Sequence, residues 1–222
     1  MSRFLAEMMT VSMEESDVPL LQRIAMIAPI YKGKDKHQPV NYRPVALTNP
    51  LGKLTERCIR KVMVDYLEQM GLLDDSQHGC RPGRSTLTQL LQQQDTILQM
   101  LLEGQNVEAL FLDFEKAYDK IDIGRLLMKV KELGISGLLG HWIGAFIMDR
   151  WQMVRVGNKT STWREVLSGI PQGSCLGPLL FLIYIRDLGE DIPKEDGIVL
   201  KFVDDSKIIQ GVKNQEDVLR FQ

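Results

Sequence analysis

The stretch IVLKFVDDSKII, residues 198–209, sets two adjacent aspartates, Asp204 and Asp205, between two apolar, β-branched runs. The runs read as strands, and D-D-S reads as their connection, because Asp is at home in turns. Side-by-side carboxylates repel each other. The crest of this ribbon is therefore either a turn and nothing more, or a place where something positive is held. On this stretch alone the turn is the simpler reading. The rest of the chain has to decide.

With 222 residues, 44% hydrophobic and 25% charged, the chain has the make-up of a folded soluble protein of one large domain or two small ones. Its longest apolar run, Leu179–Ile185, is too short to cross a bilayer. Residues 1–19 carry acidic side chains where a signal peptide needs an apolar core. The expectation is an intracellular protein, nuclear or cytoplasmic, with no membrane partner. Cys58, Cys80 and Cys175 show no C-x-x-C spacing and leave one over, which reads as reduced thiols rather than a zinc site or disulfide scaffold. The net charge of -2 hides an asymmetry: residues 22–61 hold nine Lys or Arg against Asp35 and Glu56, a local +7, so -9 falls elsewhere. Such a basic segment is either a solvated face or a surface for polyanions.

Periodicity gives an α+β reading. RIAMIAPIYK (23–32) is a strand, followed by a loop rich in Pro, Gly and Lys. Apolar positions from Leu51 to Met70 follow helical spacing with Gly71 as the stop, and residues 85–103 form a second helix. VEALFLDF (107–114), apolar on both parities, predicts a buried central strand ending at Asp113. Asp122 caps a helix that stops at Gly134, and another amphipathic segment runs to Met148. WQMVRVGNKTSTWREVL (151–167) is a hairpin turning at Gly157-Asn158. Gly177 and Pro178 then open an apolar helix, and NQEDVLRFQ (214–222) begins another.

Asp113 at the end of an apolar strand and Asp204 with Asp205 at the crest of an apolar hairpin become one feature if those strands share a sheet. Converging carboxylates repel unless a cation intervenes, and oxygen ligands of this kind suit Mg²⁺. Two such ions could serve an in-line phosphoryl displacement. In SGIPQGSCLGP (168–178) glycines and prolines precede a helix. They form either a tight entry loop or a backbone that approaches a ligand closely, and the Gln between Pro and Gly favours the ligand.

FLDFEKAYDKID (111–122), SGIPQGSCLGPLLFLIYIRDL (168–188) and FVDDSK (202–207), in this order, resemble the polymerase motifs of reverse transcriptases of non-LTR, jockey-like retrotransposons. PIYKGKDKHQPVNYRPVALTNPLGKLTERCI (29–59) and LLDDSQHGCRPGRST (72–86) are similar to that family's finger segments, so the resemblance runs from about Val18 to the end. It implies an α+β right-hand polymerase with a central antiparallel sheet, residues 18–105 mainly fingers and 106–222 mainly palm. It implies an RNA-directed DNA polymerase that uses two Mg²⁺ ions, with Mn²⁺ as an alternative, to add dNTPs to a DNA primer on an RNA template.

Carried over by position, the resemblance makes Asp113, Asp204 and Asp205 the catalytic, metal-binding carboxylates, with the Phe114 carbonyl as a further metal ligand. Tyr118 lies under the incoming sugar, where it excludes a 2′-hydroxyl. Gln172 and Gly173 flank the nucleotide, and Arg43, with Lys32 or Lys34, meets the triphosphate. Arg81 and Arg84 contact the template. Cys80 stands where the family usually has Phe, and Leu20 where Trp is common. The chain ends about seventeen residues past Asp205, so the resemblance implies a palm cut before the thumb, and an endonuclease domain elsewhere in a full-length element. A catalytically inactive transposon-derived fragment that at most binds nucleic acid stays open as the alternative. A two-metal nuclease or cyclase would explain the carboxylates but has no use for the P-Q-G segment.

Overall fold

The structure, a computed structural model, describes residues 2–192, 197–214 and 217. In chain order the first half forms α1 (Ser2–Glu14), α2 (Leu20–Arg23), β1 (Ile24–Tyr31), β2 (Tyr42–Leu47), α3 (Pro50–Gln69), α4 (Thr86–Leu102) and β3 (Asn106–Leu112). The second half forms α5 (Ile123–Glu132), α6 (Gly137–Ile147), β4 (Arg150–Val156), β5 (Lys159–Thr160), β6 (Arg164–Val166), α7 (Gly177–Tyr184), β7 (Ile198–Phe202) and β8 (Asp205–Val212). The α+β reading holds, and the expected strands and helices that fall within the described residues are found. The helix expected at 214–222 lies largely outside the described residues.

Two compact units are built from interleaved sequence: residues 1–66 with 118–184, and residues 67–117 with 185–222. In the first, the sheet runs β2-β1-β4-β5, with β6 also paired to β4. β1 is antiparallel to β2 but parallel to β4. The β4–β5 hairpin closes with Val156 opposite Lys159, around Gly157-Asn158 as the sequence predicts. Asp122 caps α5 by accepting the Arg125 N–H at 2.7 Å, and α5 packs on both α6 and α7. Leu126, Trp142, Ile143, Ile147, Leu179 and Ile183 are fully buried there; each such side chain contributes roughly 1.5–3 kcal/mol. Helix α1, which the sequence reading does not identify, docks on α6, where the Trp142 indole donates to the Ser12 hydroxyl at 3.0 Å.

The second unit is an antiparallel sheet in the order β3-β8-β7, with α4 packed against all three strands. Ser85 and Thr88 start α4 with a reciprocal capping box. One expectation fails: among the described residues β3 is an edge strand, and Leu110 and Phe111 are exposed, Phe111 at 67%. A strand apolar on both parities need not be central, because exposed apolar side chains at an edge give the same pattern as two buried faces.

Candidate active site

Asp113 follows β3 directly and Asp205 opens β8. The β3–β8 register pairs Leu112 with Ser206; carried one residue further, it sets Asp113 abreast of Asp205. The β7–β8 register ends with Phe202 opposite Asp205, which leaves Val203 and Asp204 as a two-residue turn. The three carboxylates picked from the sequence therefore belong to one end of one antiparallel sheet. None has a hydrogen-bond or ion-pair partner among the described residues. Asp113 and Asp205 are exposed and Asp204 is half-buried, so Asp113 is not the costly buried charge that the central-strand reading implied. The case for a ligand rests instead on the placement of three carboxylates at one end of one sheet.

A cleft of about 300 Å³ opens at this end of the sheet, lined by Asp113, Asp205 and Ser206 from the strands and by Thr86 and Gln89 from α4. The Gln89 Nε2 and Ser206 Oγ atoms are buried without a hydrogen-bond partner among the described residues. Among the described residues, no three His, Cys, Asp or Glu side chains form a group that could hold a metal ion.

The turn is held in an uncommon conformation. Val203 has φ 58° whereas Asp204 has no positive φ, the pattern of a type II′ hairpin turn, in which the first central residue is usually Gly. A β-branched side chain there costs ~1–3 kcal/mol and persists only when the surroundings impose it. The surroundings are residues 76–79. The Lys201 N–H donates to the Ser76 carbonyl and the His78 N–H to the Lys201 carbonyl, both at 2.8 Å, which lays this segment along β7. Buried Gln77 accepts the Val203 N–H at 2.9 Å and donates to the Val203 carbonyl at 3.3 Å.

Lys201, fully buried in β7, pairs with Asp74 and donates to the carbonyls of Arg186 and Leu188 at 3.1 and 2.8 Å. Burial pushes the Asp74 carboxyl up, but hydrogen bonds from Lys201 and Ser76 more than offset it, leaving it below the ordinary value. The His78 ring lies between Thr88 Oγ1 at 2.9 Å and Gln92 Oε1 at 2.8 Å on α4. Burial holds it below the ordinary imidazole value, the Gln92 hydrogen bond opposes this, and the fields of Arg84 and Arg81 add to it.

Arg81 grips Glu68 with two parallel bonds of 2.9 and 2.6 Å and donates to the Asp74 carbonyl at 2.6 Å, its side chain only 6% exposed. That hydrogen bonding holds the Glu68 carboxyl below its usual range against the effect of its own burial. Arg84 pairs with the exposed carboxylate of Asp75 at 2.6 Å and keeps about a quarter of its side chain in solvent.

Phe114 follows Asp113 in this same unit and is exposed; the remaining sequence-selected residues lie in the other unit. Tyr118 stacks on Phe181, ring centres 4.9 Å apart and nearly parallel. Gln172 donates to Asp119 at 3.0 Å, and its carbonyl accepts the Ala46 N–H at 2.7 Å. Gly173, at φ 123°, lies so close to β2 that a Cβ would stand 2.6 Å from the Ala46 carbonyl oxygen, which explains the glycine. Arg43 on β2 is exposed and makes no hydrogen bond or ion pair among the described residues, and Lys32 and Lys34 are exposed in the loop before it.

The sequence reading overlooked Glu56. This buried carboxylate of α3 accepts the Ser174 hydroxyl at 2.6 Å and the N–H groups of Cys175 and Leu176 at 2.6 and 3.0 Å. It thereby ties down the chain between Gly173 and the first turn of α7, where an anion is favoured. Burial lowers the nearby Arg150 guanidinium to about 10 against the opposing pull of Glu56.

With this geometry in place, the comparisons with known proteins converge. Residues 32–220 match the family model described as reverse transcriptase (RNA-dependent DNA polymerase). The chain is 37% identical over 171 residues to a probable RNA-directed DNA polymerase from transposon BS of Drosophila melanogaster, covering 77% of this chain and 19% of that protein. It is 27% identical over 218 residues to the RNA-directed DNA polymerase from mobile element jockey of the same fly, covering 96% of this chain and 24% of that one. The chain thus spans about a fifth to a quarter of the length of these relatives. Among solved structures, apo telomerase from Candida tropicalis, truncated from its C-terminal domain, aligns with 99% of this chain and 50% of its own at a TM-score of 0.64 and 12% identity. That likeness shows the right-hand polymerase fold expected from the sequence. The chain belongs to the reverse transcriptase (RNA-dependent DNA polymerase) family.

Proposed function

We propose that this chain carries the active centre of an RNA-directed DNA polymerase of a non-LTR retrotransposon, acting inside the cell to extend a primer 3′-hydroxyl with dNTPs on an RNA template. The observation that carries the reading is the placement of Asp113, Asp204 and Asp205 at one end of one antiparallel sheet, their carboxylates without a protein partner among the described residues. Their oxygens, and the Phe114 carbonyl beside Asp113, are the donor set that hard divalent cations take, so the residues fit a Mg²⁺ pair, or Mn²⁺ in its place. When bound, such ions supply the electrostatic stabilisation on which in-line phosphoryl transfer depends.

The protein's own groups position. Tyr118, braced against Phe181, is assigned to the floor under the incoming sugar. Gln172 and Gly173, tied to β2 and Asp119, are assigned to the nucleotide. Arg43, exposed and with its guanidinium unpartnered among the described residues, suits the triphosphate, with Lys32 or Lys34 beside it. Template contact is assigned to Arg84, whose partner Asp75 is exposed and easily exchanged. Arg81 has most of its donors bound within the protein, which supports a bracing role there more than a phosphate contact. In this reading residues 18–105 serve mainly as fingers and 106–222 mainly as palm.

The test is primer extension by the jockey polymerase carrying this chain in place of its own matching segment. On an RNA template with dNTPs, Mg²⁺-dependent extension is expected, and Asp204→Asn should abolish it. Extension that survives Asp204→Asn, or an exchange that leaves no extension at all, would count against the reading.

A further inference from the structure

Asp204 projects from a turn that its own sequence does not favour. Val203 occupies a left-handed conformation at φ 58°, which a β-branched residue leaves whenever it can. Relaxation of that residue would rotate the peptide joining Val203 to Asp204 and re-aim the Asp204 carboxylate. The side-chain amide of Gln77 holds both polar groups of Val203: its oxygen accepts the Val203 N–H at 2.9 Å, and its nitrogen donates to the Val203 carbonyl at 3.3 Å. That carbonyl belongs to the peptide plane from which Asp204 departs.

The clamp is itself fixed. Gln77 Oε1 also accepts the Gly79 N–H at 2.8 Å, and Gln77 is only 4% exposed. The neighbouring His78 ring is locked onto α4 by Thr88 and Gln92. Gly79 lies so close to the turn that a Cβ there would stand 2.5 Å from the Val203 nitrogen. A glutamine needed only to fill a loop has no reason to engage both polar groups of one strained residue.

We infer that Gln77 is a positioning residue: it stabilises the left-handed conformation of Val203 and so fixes the aim of Asp204. This rests on the reading of Asp204 as a metal carboxylate. The conformation, not the identity of Val203, is what Gln77 maintains, so a residue that adopts positive φ freely should make the clamp dispensable.

The experiment is Mn²⁺ titration of the full 222-residue chain, read by electron paramagnetic resonance, alongside backbone hydrogen exchange. Gln77→Ala is expected to weaken Mn²⁺ binding about 10-fold, the scale at which partners of metal ligands act. Adding Val203→Gly should bring binding back to within about threefold of the parent, because Gly tolerates positive φ without help. Gly79→Ala should reproduce the loss from the other side by displacing the turn. In the unaltered chain, whatever the variants do, the Val203 amide should exchange as slowly as its strand neighbours. Normal Mn²⁺ binding in Gln77→Ala, failure of Val203→Gly to rescue a folded Gln77→Ala, or rapid exchange at Val203 would overturn the inference. Asp113→Asn and Asp204→Asn separate the two claims. If they bind Mn²⁺ like the parent, the metal reading fails and the inference with it; if they lose binding while Gln77→Ala does not, only the inference fails.

Discussion

Glu56 of α3 accepts the hydroxyl of Ser174 at 2.6 Å across 118 residues of sequence. Together with the N–H groups of Cys175 and Leu176, this makes one buried carboxylate the anchor of the loop that carries Gln172 and Gly173. Glu56→Gln keeps the size but loses the charge that strengthens these bonds and faces Arg150. Charge-assisted hydrogen bonds contribute roughly 1.5–3 kcal/mol, so Glu56→Gln should destabilise the chain by about 2 kcal/mol in urea unfolding. A change below about 0.5 kcal/mol, the range of ordinary surface substitutions, would show that the loop does not depend on it.

Arg81 and Arg84 look alike in the sequence and should separate sharply. Arg81→Ala strands Glu68 and the Asp74 carbonyl, and breaking such a pair costs about 3–5 kcal/mol when fully buried, so a loss of about 2–4 kcal/mol is expected here. Arg84→Ala should leave stability nearly unchanged but weaken binding to an RNA–DNA hybrid and lower the log-log salt slope by about 1. The reverse pattern, measured by unfolding and by hybrid titration at several salt concentrations, would exchange the two assignments.

Tyr118 is assigned to sugar selection while it also stacks on Phe181. Tyr118→Val, in the jockey polymerase carrying this chain, is expected to raise rNTP incorporation relative to dNTP, and Tyr118→Phe to leave the ratio unchanged. If Tyr118→Val leaves single-nucleotide extension equally selective, the ring serves packing alone.

Stability should fall on acidification in two stages. Burial holds His78 below its ordinary value of 6.5 in the folded chain, so the unfolded chain binds the proton more readily. Stability is then lost as pH drops from 6.5 to the folded value, and levels off below it. Asp74 and Glu68 are held below 3.8 and 4.5 respectively. Their contribution is complete above those values and is lost as pH falls through the lower, folded ones. Urea midpoints across pH 8 to 3 should show both declines, and His78→Gln should remove the upper one. An upper decline that persists in His78→Gln would place that titration elsewhere.

Much of the fold was legible because it rests on local signals: helical spacing in α3, the Asp122 cap, the Gly157-Asn158 turn. What escaped depends on distant partners. Helix α1 is held by Ser12 against Trp142, 130 residues away, and nothing in residues 2–14 points to it. The apolar pattern of β3 was real, but pattern alone cannot separate an edge strand with exposed side chains from a central one. In the candidate site, Asp113, Asp204 and Asp205 stood out because carboxylates in apolar ribbons are conspicuous. Gln77, Lys201 and Glu56 did not, since a polar residue acquires meaning only from the group it reaches, and theirs are long-range: Val203, Asp74 and Ser174.

On the proposal above, Asp113, Asp204 and Asp205 together hold the divalent cations. Iron-directed cleavage tests it on the chain itself, since Fe²⁺ with ascorbate and peroxide cuts backbone only where the ion is held. Cuts are expected only in the neighbourhood of residue 113 and of residues 203–206, suppressed by excess Mg²⁺ and absent in the doubly substituted Asp113→Asn, Asp204→Asn chain. Cleavage elsewhere, or cleavage at these positions that survives both the competition and the double substitution, would contradict it.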